Sequence, residues 1–121
     1  MDERRKYIRI DNSLSVSYRV LKGYLTSSSR SRNISEGGIS LPINHKFDPG
    51  VVLALKIQIL EWDISIRAVG ELVWVKKLKD ETFTFLTGIK FIQIDPEEYA
   101  KLRKYITKLN QTKKSVKIDL L

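Results

Sequence analysis

From Leu14 to Val20 apolar and polar side chains alternate strictly: Leu14, Val16, Tyr18 and Val20 on one face, and Ser15, Ser17 and Arg19 on the other, with Ser13 leading in. A period of two is that of a half-buried strand. Lys22-Gly23 reads as a turn, a more polar strand follows from Tyr24 to about Arg32, and a short one carries Ile39, Leu41 and Ile43 on one face. Asp48-Pro49-Gly50 is a strong turn signal. Val51, Leu53, Leu55, Ile57 and Ile59 alternate again, and after a tight Glu61-Trp62-Asp63 connection a long strand runs from Ile64 to Val75 with Gly70 as its bulge point. Thr82 to Ile94, dense in Phe, Ile and Thr and broken by Gly88, completes the set.

The period changes at Asp95-Pro96-Glu97-Glu98. Asp95 suits an N-cap, Pro96 the first helical position, and Glu98 the far side of a capping box. Tyr99, Leu102, Ile106 and Leu109 then form an apolar stripe at helical spacing among Lys101, Arg103, Lys104 and Lys108. The prediction is a mainly β domain: a six-stranded antiparallel β-barrel with a C-terminal α-helix, because closing the sheet removes its exposed edges. One domain spans 1–121, with a flexible arm over 1–11, the barrel over 13–94 and the helix over 96–111. The helical stripe has to dock, either on its own barrel or across a homodimer.

Composition narrows the chemistry. With no cysteine and a single histidine, His45, among 121 residues, a multi-histidine or cysteine-ligated metal site is excluded and a catalytic triad has one histidine to run through. His45 reads as a loop residue. No apolar stretch approaches the ~18 residues of a membrane span and no signal-peptide core follows Met1, so the expected location is the cytoplasm. The aromatic residues Trp62, Trp74, Phe83, Phe85 and Phe91 read as barrel core and rim, Trp74 as core because its strand alternates. The balance of 22 Lys+Arg against 14 Asp+Glu, net +8, points to a polyanionic partner. Arg4, Arg5 and Arg9 concentrate part of that charge in the first ten residues.

Two short patterns carry candidate chemistry. Arg5-Lys6-Tyr7-Ile8-Arg9 is R-x-x-x-R, and Asn33-Ile34-Ser35-Glu36-Gly37-Gly38 is N-x-S-x-x-G. At this composition the first arises by chance about half the time and the second ~5% of the time, so both in this order are accidental in roughly 2% of such chains. A guanidinium fork pairs bidentately with phosphate oxygens or with guanine O6 and N7, which lysine cannot do. Asparagine offers donor and acceptor, serine a rotatable hydroxyl, and a Gly-Gly pair permits positive φ and close approach.

Together the two patterns resemble the PilZ family, bacterial domains that bind cyclic di-GMP through an R-x-x-x-R arm and a D/N-x-S-x-x-G loop on a small β-barrel. The resemblance extends through Glu3 to Arg9, Arg32 to Leu41, Gly70-Glu71-Leu72-Val73-Trp74-Val75 and Thr87-Gly88-Ile89-Lys90-Phe91. It implies that Arg5 and Arg9 contact phosphates and guanine, that Asn33 and Ser35 make polar contacts with a guanine and the ligand backbone, and that Gly38, beside Gly37, forms the tight turn. Arg4 supplies the third basic group that in this family accompanies an intercalated ligand dimer. The implied protein is a receptor or adaptor rather than an enzyme, with no metal or cofactor: ligand binding orders the arm and a downstream protein partner reads the change. Two rivals stand beside it, a small barrel that binds single-stranded nucleic acid and a PilZ-like interaction module that binds no nucleotide.

Overall fold

The computed structural model describes residues 10–11, 13–23, 26–79 and 85–119, with side chains at 13–23, 26–79 and 85–111. The arm residues 1–9, the start of the last predicted strand and the lysines beyond Gln111 lie outside the described side chains. Eight strands are present among the described residues: β1 (Ile10–Asp11), β2 (Ser15–Val20), β3 (Thr26–Arg30), β4 (Asn33–Ile34), β5 (Gly38–Ile43), β6 (Val52–Ile59), β7 (Ile64–Lys77) and β8 (Phe85–Gln93). They form one antiparallel sheet in the order β1-β4-β5-β8-β7-β6-β2-β3. A C-terminal helix, α1 (Pro96–Asp119), follows. The mainly β antiparallel fold with one terminal helix is as the periodicity predicts.

All six predicted strands exist, and the two additional ones, β1 and β4, are two residues each. They arise because the predicted 24–32 strand changes partner. Ser31 N still donates to Leu14 O (2.8 Å), whereas Arg32 N donates to Ser40 O (2.9 Å), so one peptide step carries the chain from the β2 side to the β5 side. The sheet curls until its edge strand β3 returns beside β5, where the Ser29 hydroxyl donates to the Pro42 carbonyl. Between these strands the curl is tied by a side chain rather than by a backbone ladder. Inside it lie Val16, Leu41, Leu53, Ile57, Ile66 and Leu72, all fully buried. Each occupies the apolar phase of its strand.

Strict alternation fails in β7. Leu72 pairs with Ile89 but Trp74 pairs with Gly88, leaving Val73 as an extra residue opposite the turn of register. A one-residue bulge reverses the facing of everything beyond it. Trp74 is therefore 41% exposed, which corrects its assignment to the core. Gly88 does not break β8 as predicted: it leaves room for the indole, since a Cβ there would lie 2.1 Å from Trp74 Nε1. The bulge predicted in β7 at Gly70 lies instead on its partner: Val69 pairs with Gln93 and Gly70 with Phe91, so Ile92 of β8 is the extra residue and β7 keeps its alternation through Gly70.

Helix α1 docks on its own barrel through Leu102, Tyr105 and Ile106, which join the core. Tyr105 meets Trp62 edge to face at 5.5 Å. Pro96 opens the helix as predicted, and Tyr99 N donates to Asp95 O (2.8 Å) as the first helical bond. The capping box is replaced by a different use of Glu98. Its Oε1 accepts from Arg67 N (2.7 Å) and its Oε2 pairs with Lys101 Nζ (2.9 Å), so the carboxylate ties α1 to β7 instead of reaching back to Asp95. Among the described residues no helix is long and apolar enough to cross a membrane.

Candidate functional site

The N-x-S-x-x-G segment is a tight connection between β4 and β5. Ser35 N donates to Gly38 O (2.9 Å), and the Ser35 hydroxyl oxygen accepts from Gly37 N (3.1 Å) and Gly38 N (3.2 Å). Both lone pairs of that oxygen are thereby committed, while its proton has only a long contact to Gly38 O at 3.5 Å. Ser35 is thus the former of the turn, its proton held only weakly by Gly38 O. Phe91 N donates to Gly37 O (2.9 Å) and anchors the connection to β8.

The glycines serve approach, not unusual torsion. Gly50 has positive φ, and neither Gly37 nor Gly38 does, which corrects the torsional part of the expectation. A Cβ on Gly38 would lie 2.3 Å from Ile89 O, a backbone atom that cannot swing aside. Glycine is required there so that β5 can close on β8.

Pairing places the segment that follows R-x-x-x-R in sequence beside the N-x-S-x-x-G motif. Strand β1, the continuation of the arginine-rich arm, pairs with β4 as Ile10 opposite Ile34 and Asp11 opposite Asn33. Arg4, Arg5 and Arg9 themselves lie outside the described residues. Asn33 is half-buried and pairs on its other side with Ser40, Ser40 with Gly88, and Gly88 with Trp74. Directly opposed residues share a face of the sheet. A single outer row therefore runs Asn33, Ser40, Gly88, Trp74, flanked by exposed Lys90, the partner of Gly38. At about 4.8 Å per strand the three steps from Asn33 to Trp74 span about 14 Å.

This row offers a half-buried amide, an ammonium and an exposed aromatic plane, with the Ser40 hydroxyl buried between them. Sequence reading missed Trp74 as part of it. The available signal was the run Leu72-Val73-Trp74-Val75, four apolar residues that no period of two can place on one face, opposite a glycine. Glu36 was also missed, because the motif leaves its identity open. Its Oε1 accepts a hydrogen bond from the Tyr99 hydroxyl (2.7 Å) and lies 3.6 Å from Arg103 Nε, joining the connection to α1. Among the described residues no cluster of His, Asp and Glu has the arrangement of a metal site.

A family model for the PilZ domain matches residues 3–108. The chain belongs to the PilZ family. Solved PilZ-like structures superpose on nearly its whole length. They include the inhibitor of motility MotI (DgrA) of Bacillus subtilis, 22% identical, TM-score 0.78, covering 92% of this chain and 53% of that one. YcgR of Escherichia coli in complex with c-di-GMP is 17% identical, TM-score 0.76, covering 98% and 51%. The MrkH–c-di-GMP complex of K. pneumonia is 15% identical, TM-score 0.76, covering 93% and 54%. This PilZ chain spans about half the length of those proteins, and the likeness is one of fold. Among curated protein sequences there is no significant match.

Proposed function

We propose that this PilZ domain is a cyclic di-GMP receptor whose ligand lies along the outer row from Asn33 to Trp74, clasped by the arm. The pairing of β1 with β4 carries this reading, because it fixes the root of the arm beside Asn33. Arg9 is one residue from Ile10, and Arg5, five residues away, reaches up to ~18 Å from it on an extended chain. That reach covers the row. Arg5 and Arg9 then pair with phosphate and guanine, Arg4 adds a third guanidinium, and Asn33 reads a guanine edge. Ser35 gives its remaining proton to the ligand while holding the turn, Gly37 and Gly38 keep the approach open, and Trp74 stacks on a base. YcgR and MrkH, whose structures contain c-di-GMP, share the fold on which this site is built.

Binding orders the arm over the row, and the ordered arm is what a downstream protein partner in the cytoplasm reads. The domain acts as receptor or adaptor and turns nothing over. The rival reading as a single-stranded nucleic-acid binder gains one exposed aromatic in Trp74, but Trp62 packs on Tyr105 beneath Lys104 and Lys108. A stacking platform needs several such planes along a basic groove.

Calorimetric titration with cyclic di-GMP tests the reading and counts one or two nucleotides per chain. Binding tighter than about 10 μM is expected, and Arg5→Ala or Arg9→Ala should weaken it about 5- to 150-fold through loss of a bidentate pair of 1–3 kcal/mol. Wild-type affinity in both variants overturns the arm assignment. Absence of binding by calorimetry and by an independent probe, with salt-sensitive binding of an oligonucleotide, selects the rival.

A further inference from the structure

Glu36 sits inside the N-x-S-x-x-G motif, and its carboxylate reaches the helix. The Tyr99 hydroxyl donates to its carboxylate at 2.7 Å, a length expected of a charge-assisted bond. Arg103 approaches the same oxygen at 3.6 Å and stands 5.9 Å from the Tyr99 ring centroid. Arg103 is largely exposed, so its share is screened and the tyrosine bond dominates. On its other side the same helical turn is held to β7 by Glu98 on Arg67 N and by Lys101 Nζ on Ser65 O (3.2 Å). The first turns of α1 are thus suspended between β7 and the motif.

We infer that Glu36 couples occupancy of the ligand site to seating of α1, so that the helix is a second output of this domain beside the arm. The inference rests on the proposed cyclic di-GMP site. Its sign follows from Ser35. That hydroxyl holds the amides of Gly37 and Gly38 with its lone pairs, and its proton, which reaches Gly38 O only at 3.5 Å, would be better placed on a ligand oxygen, so a ligand engaging it favours the present turn. The same turn aims Glu36 at Tyr99. Ligand binding therefore tightens the helix, and by linkage the seated helix tightens ligand binding by the same factor.

Hydrogen exchange of the full chain with and without saturating cyclic di-GMP reads the first effect, and calorimetry the second. Exchange in the 96–106 segment should slow on binding. Tyr99→Phe, a change on the helix and outside the outer row, should weaken binding about 5-fold or more and abolish the slowing. Glu36→Gln should do the same, and the double variant should be no weaker than the stronger single one. Lys101→Ala loosens the opposite tie of the helix without touching Glu36. It should lower Tm while weakening affinity less than Tyr99→Phe does, which separates coupling through Glu36 from mere helix stability.

A wild-type protein that binds with unchanged exchange over 96–106, or a Tyr99→Phe protein with wild-type affinity, overturns the coupling and leaves the receptor reading intact. Lys101→Ala weakening affinity as much as Tyr99→Phe assigns the effect to helix stability and overturns the coupling as well. A wild-type protein that binds no cyclic di-GMP overturns the receptor reading, and the coupling falls with it.

Discussion

The two ends of β7 obey different rules. From Ile66 to Leu72 the strand alternates, with Ile66, Ala68, Gly70 and Leu72 buried, and its edge groups at Ser65 and Arg67 receive α1. Beyond Val73 the bulge turns Trp74 outward onto Gly88 and into line with Asn33. The first half is spent on packing and the second on a surface. The apolar faces of an indole cost free energy to expose, and on the proposed site a ligand base would cover them.

The sharpest way to break this contrast is to truncate one residue from each half. Ile66→Ala removes a fully buried side chain and should lower unfolding stability by about 2–5 kcal/mol, seen in denaturant or thermal melts. Cyclic di-GMP affinity of the folded fraction should hardly move. Trp74→Leu keeps an apolar contact on Gly88 and loses the aromatic plane. It should change stability by about 1 kcal/mol or less, as a surface substitution does, and weaken ligand binding by about 1–3 kcal/mol, or 5- to 150-fold. Equal losses of stability in the two variants, with affinity untouched in both, would erase the distinction between the halves.

What the sequence made legible follows the same division. Residues whose facing is set by an unbroken period of two, such as Val16, Leu41, Leu53 and Ile57, lie buried as expected, and so do Leu102 and Ile106 from the helical stripe. Trp74 was misplaced because a bulge inserts one residue, and the run Leu72-Val73-Trp74-Val75 signals a break in the alternation without saying at which residue the phase resets. The place of the reset is marked by Gly88, fourteen residues on in sequence and directly opposed in space, and becomes visible only through pairing. The N-x-S-x-x-G motif was legible as a loop, but the division of labour within it was not. Ser35 forms the turn, Gly38 admits the Ile89 carbonyl, and Glu36, an unspecified position, makes the contact with Tyr99. Local chemistry suggests partners for Ser35 within two or three residues, whereas the partner of Glu36 lies 63 residues on.

Glu98 shows the same limit and gives the smallest expected effect. Its neighbours suggest a capping box, yet its carboxylate faces β7, where the Arg67 amide, then the Lys101 ammonium, hold its pKa below the ordinary carboxylate value. A group whose folded pKa is lowered adds stability that is full above its unfolded pKa, about 4.3, and is lost as pH falls through the lower folded value. Helix seating should therefore weaken on the acid side of about pH 4.3 and stay level above it. Because other carboxylates titrate in the same window, the useful quantity is the difference between wild type and Glu98→Gln, followed as Tm from pH 7 to pH 3. The variant should start lower at neutral pH and converge on wild type in acid, since protonation removes from Glu98 the charge that glutamine already lacks. Parallel curves would mean that the bond to Arg67 N contributes through geometry alone, and that the alternating half of β7 holds α1 by packing of Leu102, Tyr105 and Ile106 without help from charge.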